Sequence, residues 1–148
     1  HDGIDYQVIH FKTKASQVLA NDGSNLEEHL AENAKKHITE SGGNENGSYV
    51  KFDDGTMICI TELTLSDYFI TGVLGSLYRG NAVNSPYPAS FINSPAVSVT
   101  VINRAYVFAT SNDNAGNALT RARFTLVSHE SINATDMDVS IVAIGRWK

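Results

Sequence analysis

Cysteine, proline and tryptophan are scarce in this chain of 148 residues, which contains one cysteine, three prolines and one tryptophan. The lone Cys59 excludes a disulfide within the chain. It stands in the apolar run Met57–Ile60 without a neighbouring base or cation, so we expect a small buried side chain and not a reactive thiol. Pro86, Pro88 and Pro95 fall in one stretch, which predicts an extended crossing loop because proline cannot donate to a strand ladder.

Long apolar runs and clusters of positive charge are also missing. No window approaches the ~18 apolar residues of a membrane span, and no charged segment followed by an apolar stretch indicates a signal peptide. The net charge of −5 disfavours nucleic acid, since such binding depends on Lys and Arg neutralising phosphates. A polybasic membrane patch is absent too. We therefore expect neither a nucleic acid nor a membrane partner. Because the chain starts at His1 and not at Met, we expect a piece of a longer protein.

Motifs for metal, cofactor or nucleophilic chemistry are absent as well. The five histidines form no ligand set with a partnering cysteine. The glycines between Gly72 and Gly80 are not followed by a lysine and a helix, as a phosphate loop requires. No G-x-S-x-G elbow is present for a nucleophilic serine. We therefore expect no catalytic residue, no metal and no cofactor.

Paired carboxylates leave one enzymatic alternative open, a polysaccharide-degrading enzyme. Two carboxylates ~5 to 9 Å apart can hydrolyse a glycosidic bond. Asp136 and Asp138 stand two residues apart at the start of a predicted strand and could face the same side, whereas Asp53 and Asp54 suit a tight turn. Neither pair stands in an apolar setting that would raise the pKa of one carboxyl. Binding without cleavage is therefore the favoured function.

A short helix is predicted near the end of an N-terminal zone, residues 1–41, after one or two short strands between residues 4 and 20. Ser24 and Glu27 match the capping box, and they predict a helix from Asn25 to Glu40. Its apolar stripe is thin, which favours a seam between identical chains, most simply a homotrimer, over packing on its own domain. The stripe consists of Leu26, Leu30, Ala34 and Ile38.

The rest of the chain is predicted to be a linker, 42–48, rich in Gly, Ser and Asn, and a β head, 49–148. Tyr49–Phe52 and Thr56–Ile60 flank an Asp-Gly turn and predict a hairpin, and Val139–Trp147 alternates as a strand does. Further strands are expected near 67–71, 76–79, 97–103, 105–110 and 118–127. The predicted fold is mainly β, with a small N-terminal β piece, a short trimerising helix and a C-terminal antiparallel β-sandwich-like head.

Carbohydrate recognition is the chemistry that the remaining residues favour. A sugar ring needs an aromatic face for its C–H side and planar polar groups for its hydroxyls, and an arginine suits any phosphate on a polymer. Each aromatic could instead belong to the core, and that alternative stays open. Trp147 is the first choice because it is the penultimate residue. The candidate ligand-binding residues are Trp147, Arg146, Tyr78, Arg79, Arg104 and Tyr106.

Several segments carry a resemblance to phage tail proteins. The connector-like segments are Phe11–Val18 and Asp22–Leu30, and the head-like segments are Gly47–Met57, Tyr87–Phe91 with Pro95 and Val97, and Val142–Trp147. The first two resemble the strand, turn and helix found in tail proteins of phages that infect Gram-positive bacteria. The others resemble C-terminal domains of tail fibres, and the last is also similar to the closing strand of the H-type lectin fold.

The family that the chain resembles is the receptor-binding proteins at the tail tip of such phages, those of Listeria phages among them. The resemblance implies a homotrimer at the distal end of the tail in the virion. Its heads would bind a bacterial cell-wall glycopolymer, for which a glycosylated teichoic acid is the expectation, during host adsorption. The missing N-terminal part would join other tail or baseplate proteins. The resemblance assigns no site residue, and a purely structural tail protein remains a further alternative.

Overall fold

The computed structural model describes residues 30–32, 37–111 and 119–148, and its β domain spans Ile38–Lys148. Within the described residues the chain is mainly β: eight antiparallel strands form one sheet that curls into a half-barrel. The strands are β1 (Glu40–Asn44), β2 (Gly47–Lys51), β3 (Thr56–Leu74), β4 (Leu77–Pro86), β5 (Ala96–Val101), β6 (Val107–Ser111), β7 (Arg121–Ser128) and β8 (Ile132–Arg146).

Two long strands hold the sheet together. β3 and β8 pair from Thr56 opposite Arg146 to Ile70 opposite Ile132. On its other side β3 pairs first with β2 and then with β4, while the C-terminal part of β8 pairs with β5. β4 continues to β7, and β7 continues to β6. The two halves of the sheet, β1-β2-β3-β8-β5 and β8-β3-β4-β7-β6, therefore share their central pair.

The core lies on the concave side of this curl, because alternate residues of each strand point there. Met57 and Cys59 of β3 face Phe124 and Leu126 of β7, and Ile141 of β8 belongs to the same cluster, all at most 1% exposed. The period-two pattern predicted for Val139–Trp147 is confirmed, since Val139, Ile141 and Ala143 are buried. Burying one such aliphatic side chain contributes about 1.5–3 kcal/mol.

The loop between β4 and β5, residues 87–95, closes one end of the core. The Tyr87 and Phe91 rings meet edge to face at 5.2 Å, and both are buried. A Cβ on Gly145 would lie 2.8 Å from the Phe91 ring and 3.0 Å from Pro95, so the loop packs directly on the β8 backbone. The predicted crossing loop is present and contains Pro88 and Pro95, whereas Pro86 is the last residue of β4 and pairs with Arg121. Cys59 lies beneath it, with its thiol 3.8 Å from the Ala89 carbonyl, so the predicted burial of this thiol is confirmed.

The structure also corrects several predictions from the sequence. The hairpin of Tyr49–Phe52 with Thr56–Ile60 is confirmed, but the linker at 42–48 is wrong, because β1 and β2 pair there from Asn44 opposite Gly47 to Glu40 opposite Lys51. The head is a single curled sheet and not two separate packed sheets, because β3 and β8 are long enough to run through both halves.

The predicted helix lies mostly outside the described residues. Leu30–Glu32 are helical, whereas Glu40 belongs to β1, so the predicted helix end is wrong. The predicted N-terminal strands, residues 4–20, lie wholly outside the described residues, and the domain boundaries stay a prediction. No helix found in the described ranges has the length and apolar character needed to cross a membrane.

Candidate functional site

The six predicted ligand-binding residues fall into two groups at opposite ends of the sheet. Tyr78 of β4 is level with Ser128 at the end of β7, and Arg104 bonds to Thr135 near the start of β8. Arg146 and Trp147 stand at and just after the other end of β8. With β8 rising ~3.3 Å per residue, the two groups are separated by roughly 35–40 Å along the strand. They therefore cannot form one sugar site.

Tyr106 is the most exposed aromatic of the first group. Its side chain is 69% exposed, and its backbone has φ 70°, in the left-handed region that non-glycine residues rarely occupy. The ring meets His129 edge to face at 5.5 Å. Left-handed tyrosine costs about 1–3 kcal/mol and persists where surrounding contacts fix it, often at binding sites.

Arg104 stands beside Tyr106 in the loop between β5 and β6. Its Nη2 donates to Thr135 Oγ1 at 2.6 Å, which orients the guanidinium and leaves other N–H groups for a ligand oxygen. Phe108 follows on β6 and is 60% exposed. We call this part of the sheet, with Arg104 and Tyr106 before β6, Phe108 on β6 and His129 after β7, the aromatic end.

A polar network holds the loop that carries the aromatic end. Asn103 donates to Asp138 Oδ2 at 3.1 Å and accepts from the Asp138 amide at 3.0 Å. Thr64 donates to the other Asp138 oxygen at 2.7 Å, and the Asp67 amide donates to Asp136 at 3.1 Å. The two carboxylates that could have supported glycosidase chemistry thus fix the backbone of the loop and of β3 at this end of the sheet.

Arg79 and Tyr78 lie close to the aromatic end but play different parts. Arg79 on β4 and Phe108 on β6 are the cross-strand partners of Val127 on β7, one on each side. Because directly paired residues point to the same face of a sheet, both side chains lie on the face of Val127. Arg79 also lines a shallow groove of about 270 Å³ that includes the half-exposed ring of Phe69. Tyr78 faces the other way and packs against the core, so it supports the sheet and offers little surface for a ligand.

Trp147 is anchored at the far end of the sheet. Its indole N–H donates to the Phe52 carbonyl at 2.9 Å, its backbone amide donates to Gly55, and its ring packs against the core. The ammonium groups of Lys51 and Lys148 lie 5.3 and 5.0 Å from the ring centroid. These cation–π contacts cover ring surface that a sugar would need.

A charged cluster adjoins Trp147. Lys51 lies 2.8 Å from a Glu40 oxygen, and the Tyr49 hydroxyl donates to the other Glu40 oxygen at 2.5 Å. The hydrogen bonds from Lys51 and then Tyr49 hold the pKa of Glu40 below its ordinary value, and the bond to Glu40 raises the pKa of Tyr49. These contacts join β1 to β2 and have a structural explanation without a ligand.

Arg104 and Tyr106 thus share the connection between β5 and β6, with Arg79 at the same end of the sheet, whereas Trp147 and Arg146 lie at the other end. Sequence reasoning missed His129, Phe108 and Phe69, and the only signal for Phe108 was an aromatic two residues after Tyr106.

In the part of the chain that the structure describes, no group of three or more His, Cys, Asp or Glu side chains could hold a metal ion. Comparison of the chain with family models, with curated proteins and with solved structures found no significant match.

Proposed function

We propose that the β domain is a non-catalytic carbohydrate-binding head, and that the chain is a receptor-binding protein of a phage tail. The observation that carries the binding proposal is the aromatic end: Tyr106 and Phe108 are 69% and 60% exposed, and Arg104, two residues before Tyr106, is held by Thr135. Exposed aromatics beside a positioned arginine supply both the apolar and the polar contacts of a sugar ring.

The proposed ligand is a bacterial cell-wall glycopolymer, with glycosylated teichoic acid as the first choice. Such a polymer combines sugar rings with phosphates. An oriented guanidinium recognises phosphate by two parallel hydrogen bonds, which an ammonium cannot reproduce. The net charge of −5 disfavours binding to the polyanion through overall charge, so recognition depends on local groups such as Arg104 and Arg79.

The proposal includes a homotrimer, located at the distal end of the tail. Leu30, a helical member of the predicted stripe, is 56% exposed in the single chain, which supports contact with other copies, whereas Ile38, at 57% exposed, lies outside a helix. A single sugar site with Kd near 1 mM contributes only about 4 kcal/mol. Three sites on a repetitive polymer raise avidity by ~10² or more without new contacts.

Incubation of the chain with purified wall polymer tests this function. We expect the polymer to bind and to keep its length on a sizing column. Shortening of the polymer would instead assign a degrading enzyme. The absence of both binding and shortening, over polymers from a panel of Gram-positive strains, would favour a structural tail component.

A further inference from the structure

The convex face of the sheet carries an apolar strip where a solvated surface is expected. Antiparallel sheets normally present polar residues on the face opposite the core. On this domain one outward row is aliphatic across β2, β3 and β8, and the neighbouring row is aliphatic on β3 and β8 and has Ser48 on β2, as their register shows. The strip consists of Val50, Ile58, Ile60, Val142 and Ile144, of which Ile60 is 43% and Ile144 46% exposed.

Along the strand direction, a row of polar residues precedes the strip and another follows it. On one side Thr56 pairs with Arg146, and on the other Glu62 pairs with Ser140. An apolar centre inside a polar rim is the usual anatomy of a protein interface. The outward position of these side chains follows from the buried residues between them, Met57, Cys59 and Thr61 on β3.

The charges at the two borders have opposite sign. Arg146 stands on one border and Glu62 on the other, six positions apart along the β3–β8 ladder. Six residues of strand span ~20 Å, so the two side chains do not pair within one chain. A second copy can face the first across a two-fold axis that lies in the plane of the contact, perpendicular to the strands. This rotation reverses the strand direction, so the Glu62 border of each copy lies over the Arg146 border of the other.

We infer that the strip is a contact between two copies of this chain, packed face to face about that axis. The strip is self-complementary in this orientation, because aliphatic rows meet aliphatic rows and each arginine meets a glutamate. A parallel arrangement would instead bring arginine borders together. The contact goes beyond the proposed function and does not depend on carbohydrate binding or on the helical trimer. It doubles a single chain or a trimer alike.

The expected affinity of this contact is modest. The strands are spaced ~4.8 Å apart, and one apolar row on three strands with a second on two, together with their polar borders, covers several hundred Å² on each copy, below the ~800 Å² of a standard interface. Contacts of that size belong to weak complexes. The association should therefore appear over micromolar to several hundred micromolar protein.

Sedimentation equilibrium of the full chain across that range tests the contact. We expect the mass to double with concentration, from one to two copies or from three to six. Ile60→Lys combined with Ile144→Lys should abolish the doubling. Leu74→Lys is the matched control, because Leu74 is equally exposed, at 49%, but lies on the tip of the β3–β4 hairpin away from the strip. Circular dichroism and melting verify that each variant is folded.

Exchanging the charges of Glu62 and Arg146 is the decisive experiment. Glu62→Arg and Arg146→Glu should each weaken self-association on the order of tenfold, and the double variant should restore it. Recovery in the double variant requires contact between chains, because the two residues are too far apart within one chain. A mass that never doubles, or single variants whose losses simply add in the double variant, would overturn the inference.

Discussion

At the scale of single residues, Tyr106 combines exposure with an unfavourable backbone. A residue selected for stability alone would be glycine or asparagine at φ 70°. These two observations fit the role in binding that we propose for the ring. Trp147, which the sequence favoured for that role, is instead partly buried. Its indole hydrogen bond and its core contacts explain its position without a ligand.

Tyr106→Gly separates binding from stability. Glycine accepts the left-handed backbone without strain, so we expect stability to rise by about 1 kcal/mol while wall binding falls. Thermal melting and wall pull-down on the same preparation measure the two effects. Loss of both stability and binding would show that the ring serves packing, contrary to the proposal.

Trp147→Ala is expected to damage folding more than binding. The variant loses the core contacts of the partly buried ring and one of the two donors to the Phe52 carbonyl, which keeps the Gly55 amide, at a cost of about 2–4 kcal/mol. The melting temperature should fall clearly, and the fraction that remains folded should bind walls normally. A stable variant that no longer binds would restore Trp147 to the ligand site and displace the aromatic end.

At the scale of elements, the β1–β2 hairpin shows why composition misleads. Residues 42–48 are Gly, Asn, Glu and Ser, which is the composition of a linker. The glycines are needed for close packing, because a Cβ on Gly47 would lie 2.1 Å from the Ile60 carbonyl oxygen and φ is 125° there. The Tyr49 ring likewise lies against Gly42.

Gly47→Ala tests whether this segment is a strand or a linker. The clash and the backbone conformation should together cost at least about 2–3 kcal/mol. Gly75→Ala is the matched control: φ is 61° and no atom lies within 4 Å of a Cβ, so only about 1 kcal/mol is expected. A flexible linker would tolerate both changes equally in denaturant unfolding.

The Glu40 contacts make the β1–β2 hairpin sensitive to acid. Because the pKa of Glu40 is lowered in the folded chain, its contribution to stability is complete above its ordinary value of 4.5 and is lost as the pH falls through the folded pKa. Glu40→Gln should therefore melt earlier than the unmodified chain near pH 6. The difference should vanish in more acidic buffer. A difference that is constant with pH would contradict the ionic contact.

Strand positions were predictable wherever alternation and turn residues agree, as in the Asp-Gly hairpin and in Val139–Ala143. The extent of β3 was not, because its alternation is interrupted at Ser66 and Asp67, where its register with β8 shifts, and only 56–60 and 67–71 were predicted as strands. For the site, residue type identified Arg104 and Tyr106. Nothing in the sequence indicated that Trp147 lies at the opposite end of an unbroken strand from them.

At the scale of the whole molecule, the two ends of the sheet have different properties. One end presents exposed aromatics and oriented arginine, while the other is closed by Trp147 and the Glu40–Lys51 pair. If the aromatic end binds sugar, several copies displayed together gain avidity on a polymer that a single sugar cannot provide.

Binding to whole cell walls by two matched arginine variants tests this assignment most directly. Arg104 and Arg146 are both exposed arginines at opposite ends of the sheet, and Arg104 alone adjoins Tyr106. We expect Arg104→Ala to reduce wall binding at least about tenfold, as loss of a charge-assisted contact does, and Arg146→Ala to leave it unchanged at low protein concentration. Normal binding by Arg104→Ala together with loss of binding by Arg146→Ala would contradict the assignment of the aromatic end as the ligand site.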